Sequence, residues 1–401
     1  LNTSGTYGTS AAATPVERSH PDPWMILALP SGKEHWTAMS FVDGGENSDH
    51  GLAAAHETLS TSRGNPAPAL HTARGRTHGW DVRNRIHREQ AFPGGIAWPC
   101  SWKVMRDMGR LARTGRWFAA AVGLGVGTVA GYTAWTLNAP RRPWPPYTFT
   151  PFEVGVPAEE VAFTTSDGVS LVGWWLDSPG SRSVVICCHG HRSNKADMLG
   201  IGPALWRAGH NVLLFDFRGN GDSGNGRQSL AHYEQADLTA ALDWVARSHP
   251  GKRIAVMAFS MGASTAILTA ARDPRIEALV LDSPFATMSG VIAANYRRYR
   301  LPGGLLLPVA DLVNRIFYGY AFEQVRPVDA MGSLSPRPVL LLHGTKDRLI
   351  PYEHAQQLAD AAGPGEVELV TFEGADHCGG YFADRPGYIA RVARFLETVP
   401  G

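Results

Sequence analysis

The stretch Arg253–Asp273, RIAVMAFSMGASTAILTAARD, sets one serine, Ser260, between an apolar run and a small-residue run of helical character. IAVMA has the length and composition of a buried strand, and MGASTAILTAARD reads as the helix that follows it. A sharp turn between the two holds the serine oxygen clear of the sheet, while the helix N-terminus offers backbone N–H groups to nearby negative charge. Crowding at such a turn demands small residues two before and two after the serine, and the chain supplies Ala258 and Gly262. The pattern is therefore A-x-S-x-G where G-x-S-x-G is usual. As a simple helix cap, Ser260 would need no partners. As a nucleophile it needs a base to take its proton and an acid to orient that base.

Eight histidines lie after residue 140. Only His343, His354 and His377 follow Ser260, which is the order expected of this kind of turn. His343 precedes Gly344 at a strand end and His354 falls on an expected helix, so both have structural readings. His377 sits in EGADHCGGY, a Gly-rich loop after the last strand-like run, where it is free to fold over the strand ends; it is the expected base. Asp347, in LLLHGTKDRLIPYEHA, is the expected acid, and Asp282, in LVLDSPF, is the alternative. Asp376 adjoins His377 and would have difficulty reaching its neighbour's ring.

Around this hinge, short apolar runs alternate with helical stretches. SVVICC, NVLLFDF, RIAVMA, IEALVL, RPVLLL and VELVTF read as strands, and SLAHYEQADLTAALDWVARS and PGYIARVARFLETV as helices. Such alternation predicts a mostly parallel sheet covered on both faces. EEVAFTTSDGVSLVGWWL adds two strands around a turn at Ser166-Asp167-Gly168. The segment from about residue 284 to 336 is too long for a plain crossover, which predicts a small helical cap. Its Leu305 to Leu307, Phe317 and Tyr318 are expected to line an acyl or leaving-group pocket. Arg297, Arg298 and Arg300 read as solvated surface, with attraction of an anionic substrate or of lipid headgroups as the alternative.

Upstream the chain changes character twice. Residues 1–104 are rich in Gly, Pro, Ser, Thr, His and Arg without apolar periodicity, and read as disordered. The start at Leu1, with Met105 the first methionine near an organised segment, also admits that this part is foreign to the natural protein. Residues 105–116 are basic, and 117–137 run without a charge, about the ~20 residues that cross a bilayer core as a helix. Lys103, Arg106, Arg110, Arg113 and Arg116 outweigh Asp107 and predict a cytoplasmic N-terminal side with the remainder outside. An uncleaved anchor is expected, because the run is long for a signal and LNAP is a poor cleavage site; secretion after cleavage is the rival. Gly123, Gly127 and Gly131 form two overlapping GxxxG spacings suited to helix pairing. Residues 138–157 read as a Pro-rich linker that holds the domain at 158–401 off the membrane.

The net charge of +1 gives no electrostatic reason for a nucleic-acid partner. Cys100, Cys187, Cys188 and Cys378 have neither CxxC spacing nor a disulfide framework; Cys378 reads as a small residue beside the expected base. GNGDSG, Gly219–Gly224, satisfies G-x-G-x-x-G but opens no helix, so it is read as loop shaping and not as a dinucleotide site. His189 and His191 form an H-x-H pair without a third ligand at a recognisable spacing. Neither cofactor nor metal is expected.

The order Ser260, Asp347, His377, with CCHGHRSNK after one strand and DFRGNGDSGNG after the next, resembles the serine α/β-hydrolase superfamily over about residues 158–398. DFRGNGDS, LDSPF and HGTKDRLIP are similar to its esterase and peptidase-like branch, related to dienelactone hydrolases and prolyl oligopeptidases. The resemblance implies Ser260 as nucleophile, His377 as base and Asp347 as acid. Its His-Gly motif, matched by His189 and Gly190, implies an oxyanion hole from the backbone N–H groups of His191 and Met261. The expected protein is a membrane-anchored hydrolase of carboxylic esters acting on a small-molecule ester or acyl substrate, with a lipid or a peptide as the alternative substrate. Peptide or amide hydrolysis, acyl transfer, and a catalytically silent binding scaffold are the alternatives; the sequence is silent on oligomeric state.

Overall fold

The computed structural model describes residues 102–139, 147, 149–362 and 367–397. The expectation of disorder in the N-terminal region lies outside these residues as far as residue 101. Residues 102–104 already belong to the first helix.

Among the described residues, eight strands form one sheet: β1 Glu159–Thr164, β2 Ser170–Leu176, β3 Ser183–Cys188, β4 Asn211–Phe215, β5 Arg253–Phe259, β6 Ile276–Asp282, β7 Val339–Gly344 and β8 Val367–Phe372. Their order is β1-β2-β4-β3-β5-β6-β7-β8. β1, β2 and β4 pair antiparallel, and β4, β3, β5, β6, β7 and β8 pair parallel. The helices are α1 Trp102–Asn138, α2 Gly202–Arg207, α3 Glu234–Ser248, α4 Met261–Ala270, α5 Met288–Arg298, α6 Gly303–Tyr318, α7 Pro327–Ala330, α8 Glu353–Ala362, α9 Gly380–Ala383 and α10 Arg385–Glu397.

The inner strands are apolar throughout because both of their faces are covered: β7 is buried along its whole length, and β5 at every position but its ends. On one face Val185, Cys187, Leu214, Met257, Val280 and Leu342 pack under Leu199, Leu205, Tyr388 and Val392. Each such side chain contributes about 1.5–3 kcal/mol by leaving water. The edge strand β1 instead alternates buried and exposed residues over its second half. Its hairpin to β2 closes at Gly168, whose φ of 86° supplies the left-handed turn.

The insertion after β6 is helical, as expected, and is built of α5, α6 and α7. The expected pocket lining differs. Leu306 is buried, but Leu305 and Phe317 lie on the outside of α6, with Phe317 74% exposed. Helical spacing turns Leu305 away from Leu306, Ala310 and Asn314, which occupy the packed side, whereas Phe317 shares their register and is exposed near the C-terminal end of the helix.

A second difference concerns α1. It runs unbroken through the basic segment and the charge-free run, and its last turns pack against α6 instead of standing apart from the domain. Asn138 Nδ2 donates to Asn314 Oδ1 at 2.7 Å, and Tyr320 Oη donates to Asn138 Oδ1 at 2.9 Å, all three residues being buried. Tyr296 Oη donates to Thr133 Oγ1 at 2.8 Å. The segment expected to hold the domain away therefore begins at a helix end already fixed to it. Farther on, Tyr147 and Val154 pack against the core.

Candidate active site

β5 ends at Phe259 and α4 begins at Met261, leaving Ser260 alone at the turn with φ 52° and ψ −118°. Positive φ is rare in a residue with a side chain and costs on the order of 1–3 kcal/mol, so the surroundings must enforce it. They do so through the Ser260 N–H, which donates to the Asp282 carbonyl at 2.7 Å, and through close packing beneath the turn. A Cβ at Gly262 would stand 2.6 Å from the His189 carbonyl oxygen and 2.7 Å from that of Cys188, so only glycine fits. The methyl group of Ala258, in the position usually taken by glycine, is buried in the sheet.

Three side chains from three loops meet at this turn. His377 Nε2 lies 2.9 Å from Ser260 Oγ, and His377 Nδ1 lies 2.7 Å from Asp347 Oδ2. The other oxygen of Asp347 accepts the backbone N–H groups of Leu349 and Ile350 at 2.9 and 2.8 Å, which fixes the carboxylate's orientation. Burial alone would raise the Asp347 carboxyl, but His377 and His343 outweigh it and hold the group well below the usual carboxylate range. Burial likewise presses on the His377 imidazole, and here the Asp347 carboxylate, hydrogen-bonded to Nδ1, outweighs it and lifts the ring well above its ordinary value.

Asp282, the alternative acid, is brought close but engaged elsewhere. Its carboxylate accepts from Tyr388 Oη at 2.7 Å and from Ser283 Oγ at 2.8 Å, and burial pushes its pKa up. Asp376 accepts the backbone N–H groups of Arg348 and His377, not the ring. His343 Nε2 donates to the Ile350 carbonyl at 2.8 Å and lies 3.3 Å from Asp347 Oδ2, so it backs the acid, whereas His354 Nδ1 accepts the Ala286 N–H at 3.1 Å and serves loop structure.

The loop after β3 supplies the opposite wall. A Cβ at Gly190 would stand 3.4 Å from that of Ser260, so this backbone passes directly beside the nucleophile position. His189 pins it. Its Nε2 accepts the Phe217 N–H at 3.0 Å, which leaves the proton on Nδ1 to donate to the Gly190 carbonyl at 2.7 Å. The His191 ring turns away from the site and bonds the Leu137 carbonyl of α1 at 3.1 Å. Burial, with Arg192 nearby, lowers its pKa to about 4, so the ring is neutral near pH 7 and Nε2 carries the donated proton. Both rings of the H-x-H pair are thus taken by hydrogen bonds. The Cys378 N–H donates to Ser283 Oγ at 3.2 Å, which ties the loop of His377 to the end of β6.

The contacts from α1, Ser283 and Tyr388 were not visible in the sequence. Each is a common residue type whose partner is remote along the chain, Tyr388 and Asp282 being 106 positions apart. No spacing rule connects them.

Residues 179–331 match the family model described as serine aminopeptidase, S33, and residues 316–399 that of a TAP-like protein. The chain is 29% identical over 255 residues to the uncharacterized protein YqkD of Bacillus subtilis, covering 62% of this chain and 83% of that one. It is 30% identical over 241 residues to the uncharacterized protein Rv2307c of Mycobacterium tuberculosis, covering 59% and 78%. Among solved structures, the esterase Pf2001 of Pyrococcus furiosus superposes with a TM-score of 0.54 at 30% identity, over 65% of this chain and 99% of that one. With a shared fold and this identity over nearly the whole of that structure, the chain belongs to the α/β-hydrolase superfamily.

Proposed function

We propose that the protein is a membrane-anchored serine hydrolase of carboxylic esters. The observation that carries the reading is the continuous relay Ser260–His377–Asp347, with contacts of 2.9 and 2.7 Å, at the strand ends where this sheet type gathers its reactive groups. Ser260 Oγ attacks the ester carbonyl as its proton passes to His377 Nε2, and the Asp347 carboxylate stabilises the imidazolium that results. The oxyanion is held by the backbone N–H groups of His191 and Met261, the latter at the N-terminus of α4. Collapse of the tetrahedral intermediate expels the alcohol with the proton from His377 and leaves an acyl-Ser260. Water, deprotonated by His377, then releases the acid and restores the serine. None of these steps draws on a cofactor.

We read α1 as an anchor that stays attached, because cleavage after residue 138 would remove the partner of buried Asn314 and Tyr320. The excess of Lys103, Arg106, Arg110, Arg113 and Arg116 over Asp107 orients its N-terminal side to the cytoplasm and the hydrolase domain to the outside. The match to a serine aminopeptidase family supports peptide bonds as the second reading.

The test is turnover of nitrophenyl esters of graded acyl length and of aminoacyl nitroanilides by the full chain, with Ser260→Ala alongside. Ester turnover that falls at least about 10³-fold in the variant is expected. Turnover of the anilides alone would make the protein a peptidase. A folded protein that turns over neither would point to a binding scaffold.

A further inference from the structure

α6 is amphipathic in the wrong sense for a helix facing water. Its packed side carries Leu306, Ala310 and Asn314, while Leu305, Pro308, Leu312 and Ile316 stand on the outside. Leu312 and Ile316 are 55% and 65% exposed. The one charged residue among them, Arg315, is paired with Asp311 at 2.8 Å and has a long enough side chain to keep its head in water. A helix face in contact with solvent would be polar.

This face continues the apolar surface of α1. Along α1 the residues from Arg106 to Gly125 are exposed, among them Trp117, Phe118, Val122 and Leu124, and full burial begins at Ala130. α6 crosses where packing begins. Gly303 lies beside Tyr296, whose hydroxyl meets Thr133, and Asn314 meets Asn138. α6 therefore packs against the last turns of α1. Trp135 is half exposed on the last turns of α1, and Tyr299 is partly exposed just ahead of α6. These are the side chains that settle at a membrane–water boundary. Arg297 and Arg300, both exposed at the approach to α6, suit anionic headgroups.

We propose that the outward face of α6 is a second lipid contact, lying in the outer boundary of the bilayer that α1 crosses. The proposal rests on the reading of α1 as a membrane span. It sets the hydrolase domain flat on the bilayer, with the loop of His191, which touches both Leu137 and the Ser260 turn, next to the lipid surface.

The test uses the full chain in vesicles of phosphatidylcholine and phosphatidylglycerol, with the photoreactive residue p-benzoylphenylalanine placed singly at Leu312, Leu124 or Gln357. Gln357 is an exposed control on α8. After irradiation, covalent phospholipid is measured by intact mass. Adducts at Leu312 and Leu124 and none at Gln357 are expected. Adduct at Leu124 without adduct at Leu312 would overturn the proposal and leave the span intact. No adduct at either would remove the span and the proposal with it. A cross-linked dimer at Leu312 in place of lipid would assign the face to a second copy of the chain and overturn the proposal as well.

Discussion

The strained backbone of Ser260 and the carboxylate behind His377 set two expectations at the level of single side chains. Asp347 stabilises the protonated imidazole, so the His377 pKa lies above its ordinary value, and a base must be unprotonated to act. Ester turnover should therefore rise with pH through a midpoint above about 6.5. Asp347→Asn removes the charge that lifts the pKa, so the midpoint should move toward acid while kcat falls by about 10³–10⁴-fold. The kcat/KM profile across pH checks both; a midpoint that stays in place would deny the coupling. Gly262→Ala pushes a methyl group against the carbonyls of Cys188 and His189, and should cost about 1–3 kcal/mol in a denaturant melt. Ala258→Gly meets no such obstacle, and should leave ester turnover nearly unchanged.

At the level of elements, the end of α1 belongs to the hydrolase domain. Asn138 has a donor and an acceptor committed to Asn314 and Tyr320 in a buried setting, so Asn138→Leu should destabilise the domain by about 1–3 kcal/mol through the polar groups it strands. A chain that begins at residue 145 lacks this helix end and the carbonyl that holds His191. It should unfold at lower temperature than the full chain in the same detergent, and turn over esters more slowly. Equal melting temperatures would show that the docking of α1 contributes little. The inner strands were legible in the sequence because such strands of a parallel sheet are apolar on both faces, as in Ser183–Cys188 and Val339–Gly344. The docking of α1 was not. Thr133, Thr136 and Asn138 look unremarkable at the end of an apolar run, and only the fold brings Tyr296, Asn314 and Tyr320 to meet them. The outward apolar side of α6 was misread for a related reason: GLLLPVADLVNRIFY is apolar enough to suggest a pocket, and its pattern does not say which side packs.

At the level of the whole molecule, the loop of His189 to His191 joins the Ser260 turn to the end of α1, and α1 in turn packs against α6. Ser260, Asp347 and His377 were legible because a turn between strand and helix, a loop after each of two later strands, and the order of the three residues restrict the choices. On the proposed reading of α1 as a membrane anchor, its basic flank orients the hydrolase domain outward, and protease added to intact cells should digest the domain after residue 140. Protection in intact cells with digestion in lysed cells would reverse the topology. The nucleophile admits the most direct trial. The full chain, folded in detergent, is treated with a fluorophosphonate and the modified peptide is mapped by mass spectrometry. A single adduct on Ser260, abolished in Ser260→Ala and much slowed in His377→Ala, is expected of a serine hydrolase. An adduct at another residue, or none on the folded chain, would contradict the assignment of Ser260 as nucleophile.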